Sequence, residues 1–346
     1  MSVAELLVQL WPLLAAGLVL LISLVASAHV LLNKQQAQAA MAWMGIIWLV
    51  PVLGSLLYGL FGINRVRRRA QSLRHLNTAL KLDTSAFAVS LQGFEESSQW
   101  SGLKQLLDRL TKAELLSGNR VDALHNGNQA YPEMLHAIQS AEQSIALATY
   151  IFGNDEWGNR FVEALAQAVR RGVQVKVLID GVGQYYSWPS IARKLTVKGI
   201  EYALFLHSVL PWRMAYLNLR NHRKLLIIDG ELAFTGGINL RDKHVGMPPK
   251  ARDLHFKIKG PVVSQMMRIF AEDWQSSTQE ILSGTIWFPR PKMAGKALAR
   301  GIADGPDENY DQLKWALMAA LGEAQSNVII LTPYFLPDQG LQDALK

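Results

Sequence analysis

Between Asn221 and Asn239 the chain reads NHRKLLIIDGELAFTGGIN, setting His222, Lys224 and Asp229 around the apolar run LLII. In an extended chain residues two apart share a face, so His222 and Lys224 should project together from a strand end while the apolar run enters a core. A neutral imidazole beside a fixed ammonium suits attack on a phosphodiester. A ring nitrogen is the nucleophile and the cation holds the phosphoryl oxygens. Gly236 and Gly237 allow close backbone approach, and Asn239 offers an amide donor to phosphate. This chemistry needs no metal ligand set, and no cofactor is expected. H-x-K alone says little, because any exposed strand can carry it; the whole string H-x-K-x4-D-x6-G-G-x-N, placed after apolar strand signals, is far more specific.

A chain of 346 residues has room for about two domains. It contains no cysteine, which excludes disulfides and thiolate metal sites. A net charge of +7 and a pI near 9.5 point to an anionic partner, either nucleic acid or an acidic membrane surface. Two uninterrupted apolar segments, Leu10 to Leu32 and Met41 to Gly62, favour the membrane, since each is long enough to cross roughly 30 Å of hydrocarbon as a helix. Ala26-Ser27-Ala28 matches a signal-peptidase pattern, but the stretch ahead of it has no Lys or Arg and carries Glu5, and a second apolar segment follows directly. The polar joint NKQQAQAA is short, so the two helices are expected to form a hairpin. Arg65, Arg67, Arg68, Arg69 and Arg74 follow it, against the single Lys34 of the joint, so the positive-inside rule sends the remainder of the chain to the cytoplasm. Such a basic collar also suits anionic headgroups. Trp43, Trp48 and Tyr58 are either interfacial anchors or packing residues.

From about Gln71 to Ser101 the composition is polar and irregular, as in a linker. Beyond Asn119 the pattern turns α/β. YPEMLHAIQSAEQ has helical spacing, SIALATYIF reads as a buried strand, GNRFVEALAQAVRRG as an amphipathic helix closed by Gly172, and VQVKVLID as a second strand. This order implies a parallel βαβ unit. EYALFL, KLLIIDG and ELAFTGG continue the sheet, and PVVSQMMRIFAEDW is a helix behind it. An internal repeat appears when AIQSAEQSIALATYIF, from Ala137, is laid over ALGEAQSNVIILTPYF, from Ala320, without gaps. The second copy stops before a second histidine motif is reached.

The His–Lys–Asp string resembles the HKD motif of the phospholipase D superfamily. Within it, the chain is similar to the bacterial cardiolipin synthases that carry an N-terminal membrane hairpin. The blocks WLVPVLGSLLYGLFGINR, YIF with RRGVQVKVLID, NHRKLLIIDGELAFTGGINL, RDLHFKIKGPVV with FAEDW, and LTPYFLPD occur in the family's order along nearly the whole chain. The resemblance implies an α/β fold: a transmembrane hairpin (1–64), a basic collar and linker (65–105), a phospholipase D-like mixed sheet flanked by helices (106–300) and the start of a second, incomplete copy (301–346). It implies His222 as the nucleophile that forms a phosphohistidine, Lys224 and Asn239 as phosphate clamps, and Asp229 as a supporting carboxylate that orders the motif. Asp253 in RDLHF matches the family's histidine-orienting acid. The implied reaction transfers a phosphatidyl group from one phosphatidylglycerol to another, giving cardiolipin and glycerol, at a bacterial inner membrane that the protein crosses more than once. Anionic lipids are the expected partners, not nucleic acid. A second HKD half-site must come from a missing C-terminal half or from another subunit, and a chain of this length alone is expected to show little turnover.

The motif does not separate this reaction from lipid hydrolysis or from transfer to another alcohol. A nuclease fits the positive charge but not the apolar hairpin. An inactive one-motif lipid-binding membrane protein is the non-enzymatic alternative. DGVGQ, Asp180 to Gln184, lacks the third glycine of a dinucleotide loop, since Tyr186 stands there, and reads as a strand-end turn. His207, His244 and His255 have no metal-ligand spacing and are expected at the surface or in packing. HSVLPWRMAYLNLR is either an interfacial loop or a partly buried crossover. LTPYFLPD reads as a strand end and turn, because Pro333 and Pro337 bar it from a helix interior.

Overall fold

The computed structural model describes residues 3–34, 37–63, 84–89, 100–111, 113–205, 221–247, 251–303, 312–332 and 335–346. The five collar arginines, most of the 71–101 linker, His207, the rest of the 207–220 stretch and part of LTPYFLPD lie outside these residues. The chain forms two compact units, one apolar and helical at the N-terminus and one α/β.

In the first unit, helix α1 spans Val3–Asn33. Its Leu10–Asn33 stretch, 24 residues with mean hydropathy 2.3, is among the described residues the one helix long and apolar enough to cross a bilayer. Leu13, Leu14, Leu18, Leu21, Val25 and Leu31 all face outward, leaving the helix with an apolar exterior where a water-soluble one would be polar. The second apolar segment is not the single helix its hydropathy suggests. It is α2, Ala37–Leu49, then α3, Pro51–Leu57, continued by a π-helical turn at Tyr58–Gly62. Proline has no N–H to donate and disfavours helical backbone in the residue before it, and Val50 is indeed non-helical, at φ −136° and ψ 75°. Gly54 follows the break, and a side chain there would collide with the Ile46 carbonyl.

The pieces pack on α1 through buried Val30, Ile47 and Tyr58. Tyr58 and His29 share a 2.8 Å hydrogen bond, and Trp48 Nε1 donates to Ser27 Oγ at 3.1 Å. Trp43 meets the Tyr58 ring edge-on at 5.4 Å. All three aromatics therefore contact other side chains of the unit.

The second unit is built on an eight-stranded mixed sheet: β1 Leu116–His125, β2 Ser144–Thr149, β3 Gln174–Asp180, β4 Glu201–Phe205, β5 Leu225–Ile228, β6 Leu232–Gly236, β7 Leu254–Lys259 and β8 Ala297–Ala299. The spatial order is β4-β3-β2-β5-β6-β7-β1-β8. Strands β2, β3 and β4 are parallel, and the remaining neighbours are antiparallel.

Period-two alternation splits the buried strands between two cores. On one face Ile145, Leu147, Val175, Val177, Leu226 and Ile228 pack under α4 (Asn126–Gln139), α5 (Glu156–Arg170) and α6 (Ala192–Val197). On the other, Ala146, Ala148, Leu178, Leu225 and Ile227 meet Phe270 and Trp274 of α7, Val262–Thr278. Asp155 caps α5, its carboxylate accepting from Gly158 N at 3.0 Å, and Gly172 at φ +89° lets the chain turn back into β3. The βαβ unit read from the sequence is present. Where the repeat puts its second helix, α8 spans Gln312–Gly322; the apolar stretch after it forms no ladder, and Ile329 and Leu331 are exposed.

Candidate active site

Pairing brings six chain segments to one edge of the sheet. These are the exits of β1, β2, β3 and β6 and the lead-ins to β5 and β7, because Ala148 pairs with Leu225, Leu225 with Thr235, and Gly236 with His255. Loops leaving the carboxyl ends of parallel strands are where α/β sheets bind ligands.

His222 stands exposed at this edge, just before β5, with its ring 4.1 Å from that of Tyr150 at the exit of β2. Both flanking residues are tied down by buried or half-buried carboxylates. Asp180, at the end of β3, accepts from Asn221 N at 2.7 Å and from Val182 and Gly183 N at 2.9 and 3.0 Å. Asp273 on α7 accepts from Asn221 Nδ2 at 2.9 Å and pairs with the Arg223 guanidinium at 2.6 Å. The backbone carrying His222 is thereby held on both sides.

Lys224 lines the same cleft as His222. Its Nζ donates to the His222 carbonyl at 2.6 Å and lies 5.6 Å from the Tyr150 ring centroid. Burial lowers its pKa to about 8, although Asp253 and Asp180 pull the other way. The cleft, about 600 Å³, lies on the α7 side of the sheet, where Phe256, Ile258, Met266 and Ile302 line it, while the Lys224 side chain turns to the other side with Tyr150.

Asn239 follows β6. Its Oδ1 accepts from Ile151 N at 3.1 Å, which assigns the NH₂ end of the amide as the donor. The buried Tyr131 hydroxyl donates to the Asn239 carbonyl at 2.5 Å and accepts from Arg241 N at 3.0 Å, fixing the segment. The two glycines serve a different neighbour from the one their spacing suggests. A side chain on Gly237 would strike the Asp253 carboxylate, and one on Gly236, at φ +153°, would come within 2.7 Å of His255 Nδ1. They make room for β7.

Asp253 accepts from Leu254 N at 2.8 Å and lies 3.8 Å from His244 Nδ1. Burial raises its pKa, opposed by the Leu254 N–H and then by Lys224 and Lys243. His244 and His255 are buried under the site, with both ring nitrogens of His244 and Nδ1 of His255 without a hydrogen-bond partner. Desolvation, reinforced by nearby positive groups, lowers both to about 4, so they are neutral at pH 7. Of the two settings expected for these histidines, both occupy the interior.

Asp229 is elsewhere. It forms the tight turn after β5 with Gly230, at φ +52° and +64°, and its carboxylate accepts from the backbone N–H groups of Glu142, Gln143 and Ser144 at 3.1, 2.7 and 2.8 Å. It clamps the β5–β6 turn to the start of β2, at the opposite edge from His222.

Sequence reasoning singled out neither Tyr150, Tyr131, Asp180 nor Asp273 for the site. The usable signals were the polar residues at the ends of VQVKVLID and SIALATY, since a carboxylate or phenol closing an apolar strand sits where ligands bind.

Residues 134–274 match the family described as cardiolipin synthase, PLD-like domain, and residues 21–62 match the one described as phospholipase D-nuclease N-terminal. The chain is 30% identical to cardiolipin synthase 1 of Bacillus cereus, over 90% of this chain and 64% of that protein. It is 31% identical to the major cardiolipin synthase ClsA of Bacillus subtilis strain 168, over 91% of this chain and 68% of that one. The chain thus spans about two thirds of these relatives' length. Among solved structures, phosphatidylserine synthase of Haemophilus influenzae Rd KW20 has a similar fold, with TM-score 0.50 and 13% identity over 70% of this chain and 62% of that one.

Proposed function

The chain belongs to the cardiolipin synthase family of phospholipase D-like proteins, and from that premise we propose that it supplies the nucleophilic half-site of a phosphatidyltransferase making cardiolipin from phosphatidylglycerol. The observation that carries this reading is the His222 ring and the Lys224 ammonium set side by side against Tyr150 at one edge of the sheet.

In the proposed reaction a nitrogen of His222 attacks the phosphorus of a phosphatidylglycerol headgroup. The phosphorus–oxygen bond to glycerol breaks, and the leaving oxygen takes a proton from the histidine of a second HKD half-site. The terminal hydroxyl of another phosphatidylglycerol then attacks the phosphohistidine, its proton passes to that same histidine, and His222 is released. One phosphodiester replaces another, so covalent catalysis proceeds without ATP.

Lys224 gives up its bond to the His222 carbonyl for the phosphoryl oxygens, and the incoming negative charge reverses part of the lowering of its pKa. Asn239 donates from its NH₂ end. Tyr150 holds the His222 ring from its π face. Asp229 acts at a distance, by holding the turn that fixes β5. The second half-site belongs to a further part of the polypeptide or to another subunit.

The apolar exterior of α1 supports a membrane-held enzyme; on the hydropathy of the second segment and the collar arginines we place a second crossing there and the site in the cytoplasm. With the second half-site supplied, vesicles of pure phosphatidylglycerol test the reaction: glycerol should be released as cardiolipin appears, with no phosphatidic acid. Phosphatidic acid in its place would make the protein a hydrolase.

A further inference from the structure

The loop leaving β3 presents an unusual surface. Tyr185, Tyr186 and Trp188 are 62%, 57% and 91% exposed within four residues. Single exposed apolar residues are ordinary, whereas a cluster of large aromatics turned to solvent marks an interaction surface.

The cluster sits on a fixed base. Asp180 holds Val182 and Gly183, Gln184 Nε2 donates to the Gly181 carbonyl at 3.0 Å, and Ser187 Oγ accepts from Asn154 N at 3.2 Å. Asn154 Nδ2 also donates to the Pro189 carbonyl at 2.8 Å. A side chain on Gly183 would run into the Tyr150 carbonyl, so the loop lies close against the site. The Tyr186 ring is 5.8 Å from that of Tyr150, whose other neighbour is His222. The first turn of α6, which follows, adds exposed Arg193 and Lys194.

We propose that residues 183–189 form a bilayer-interface anchor: Trp188 and Tyr186 enter the headgroup layer of an anionic phospholipid leaflet, and the His222 edge is brought to the lipid surface with them. Tyr and Trp pair an apolar body with a polar tip and so favour the boundary between hydrocarbon and water, while adjacent cations complement anionic headgroups. This deepens the proposed function, because it rests on the site acting on lipids, but its test requires no turnover.

The absence of cysteine from the chain makes the measurement clean. Trp188→Cys and, as a control at the start of β3 on the opposite edge, Gln174→Cys are labelled with an environment-sensitive fluorophore and reconstituted in phosphatidylglycerol-rich vesicles. The probe at position 188 should shift to the blue, lose emission to lipids carrying a shallow nitroxide and resist aqueous iodide, while the probe at 174 is quenched by iodide alone. A probe at 188 that iodide quenches and nitroxide lipids leave alone overturns the anchor. A blue-shifted probe insensitive to both also overturns it, since a protein surface, such as a second copy, then covers the loop. Transfer by the unsubstituted protein, with the second half-site supplied, separates the two ideas: an embedded loop without phosphatidyl transfer there refutes the enzyme and leaves the anchor, and the loop should embed equally with His222→Ala present.

Discussion

At the Asp229 end of β5 a carboxylate is saturated by three backbone N–H groups, whereas at the His222 end an exposed imidazole stands over a half-buried lysine and two histidines short of hydrogen-bond partners. One nineteen-residue motif, Asn221 to Asn239, thus contains a finished structural joint and a site with capacity left over. The difference separates residues that hold the strand from the residues we propose for chemistry. Unsatisfied polar groups and depressed basic pKa values gather at functional sites because binding a ligand is what completes them.

The comparison breaks most sharply at His222. His222→Ala should reduce phosphatidyl transfer by about a thousandfold or more, since no other group takes over the covalent step, and should leave the thermal midpoint almost unchanged. Retained transfer would remove His222 from the chemistry.

Acid should find the site end. His244 and His255 have folded-state pKa values of about 4, below the ordinary 6.5. Between pH 6.5 and 4 the unfolded chain therefore binds more protons, and stability falls as pH falls through that window, by on the order of 3 kcal/mol per histidine. Denaturant titrations at pH 7 and pH 5 should show this fall, and His255→Phe should reduce it.

Asp229→Asn gives the opposite phenotype to His222→Ala. Replacing charge-assisted bonds at a half-buried turn should cost about 2 kcal/mol of stability. The protein that remains folded should keep its turnover per site, measured well below the melting transition. Loss of turnover without loss of stability would move Asp229 into the chemistry.

The smallest effect concerns Lys224. Above its folded-state pKa of about 8 the unliganded site loses its ammonium. Affinity for a soluble glycerophosphodiester should then fall by up to about tenfold per pH unit above 8, and Lys224→Arg should flatten the profile, since guanidinium stays charged. Isothermal titration at pH 7, 8 and 9 reads both.

The sequence makes legible what depends on local pattern. The βαβ unit shows through apolar runs bounded by an Asp cap and Gly172, and the cleft-facing pair shows through the HKD spacing. Strand β1 does not, because LSGNRVDALH carries five polar or charged side chains on a strand half open to solvent and has no apolar run to mark it. The break in the second apolar segment rests on Pro51, whose effect on backbone a hydropathy average cannot register. Asp180, Asp273 and Tyr150 reach the site from 42, 51 and 72 positions away from His222, since 222 − 180 = 42, 273 − 222 = 51 and 222 − 150 = 72. Their roles exist only once the sheet order is known. The two glycines follow the same rule, because what they accommodate is a neighbouring strand.

The place of β1 in the sheet governs how the protein is made. Both neighbours of β1 come from later in the chain, and its pairing of Arg120 with Lys259 spans 259 − 120 = 139 residues. A ribosome adding about 5–20 residues per second leaves β1 unpartnered for roughly 7 to 28 seconds. The Asn126–Asp253 contacts that close the His222 edge wait on the same pairing, so the nascent chain carries His222 well before the edge around it is assembled.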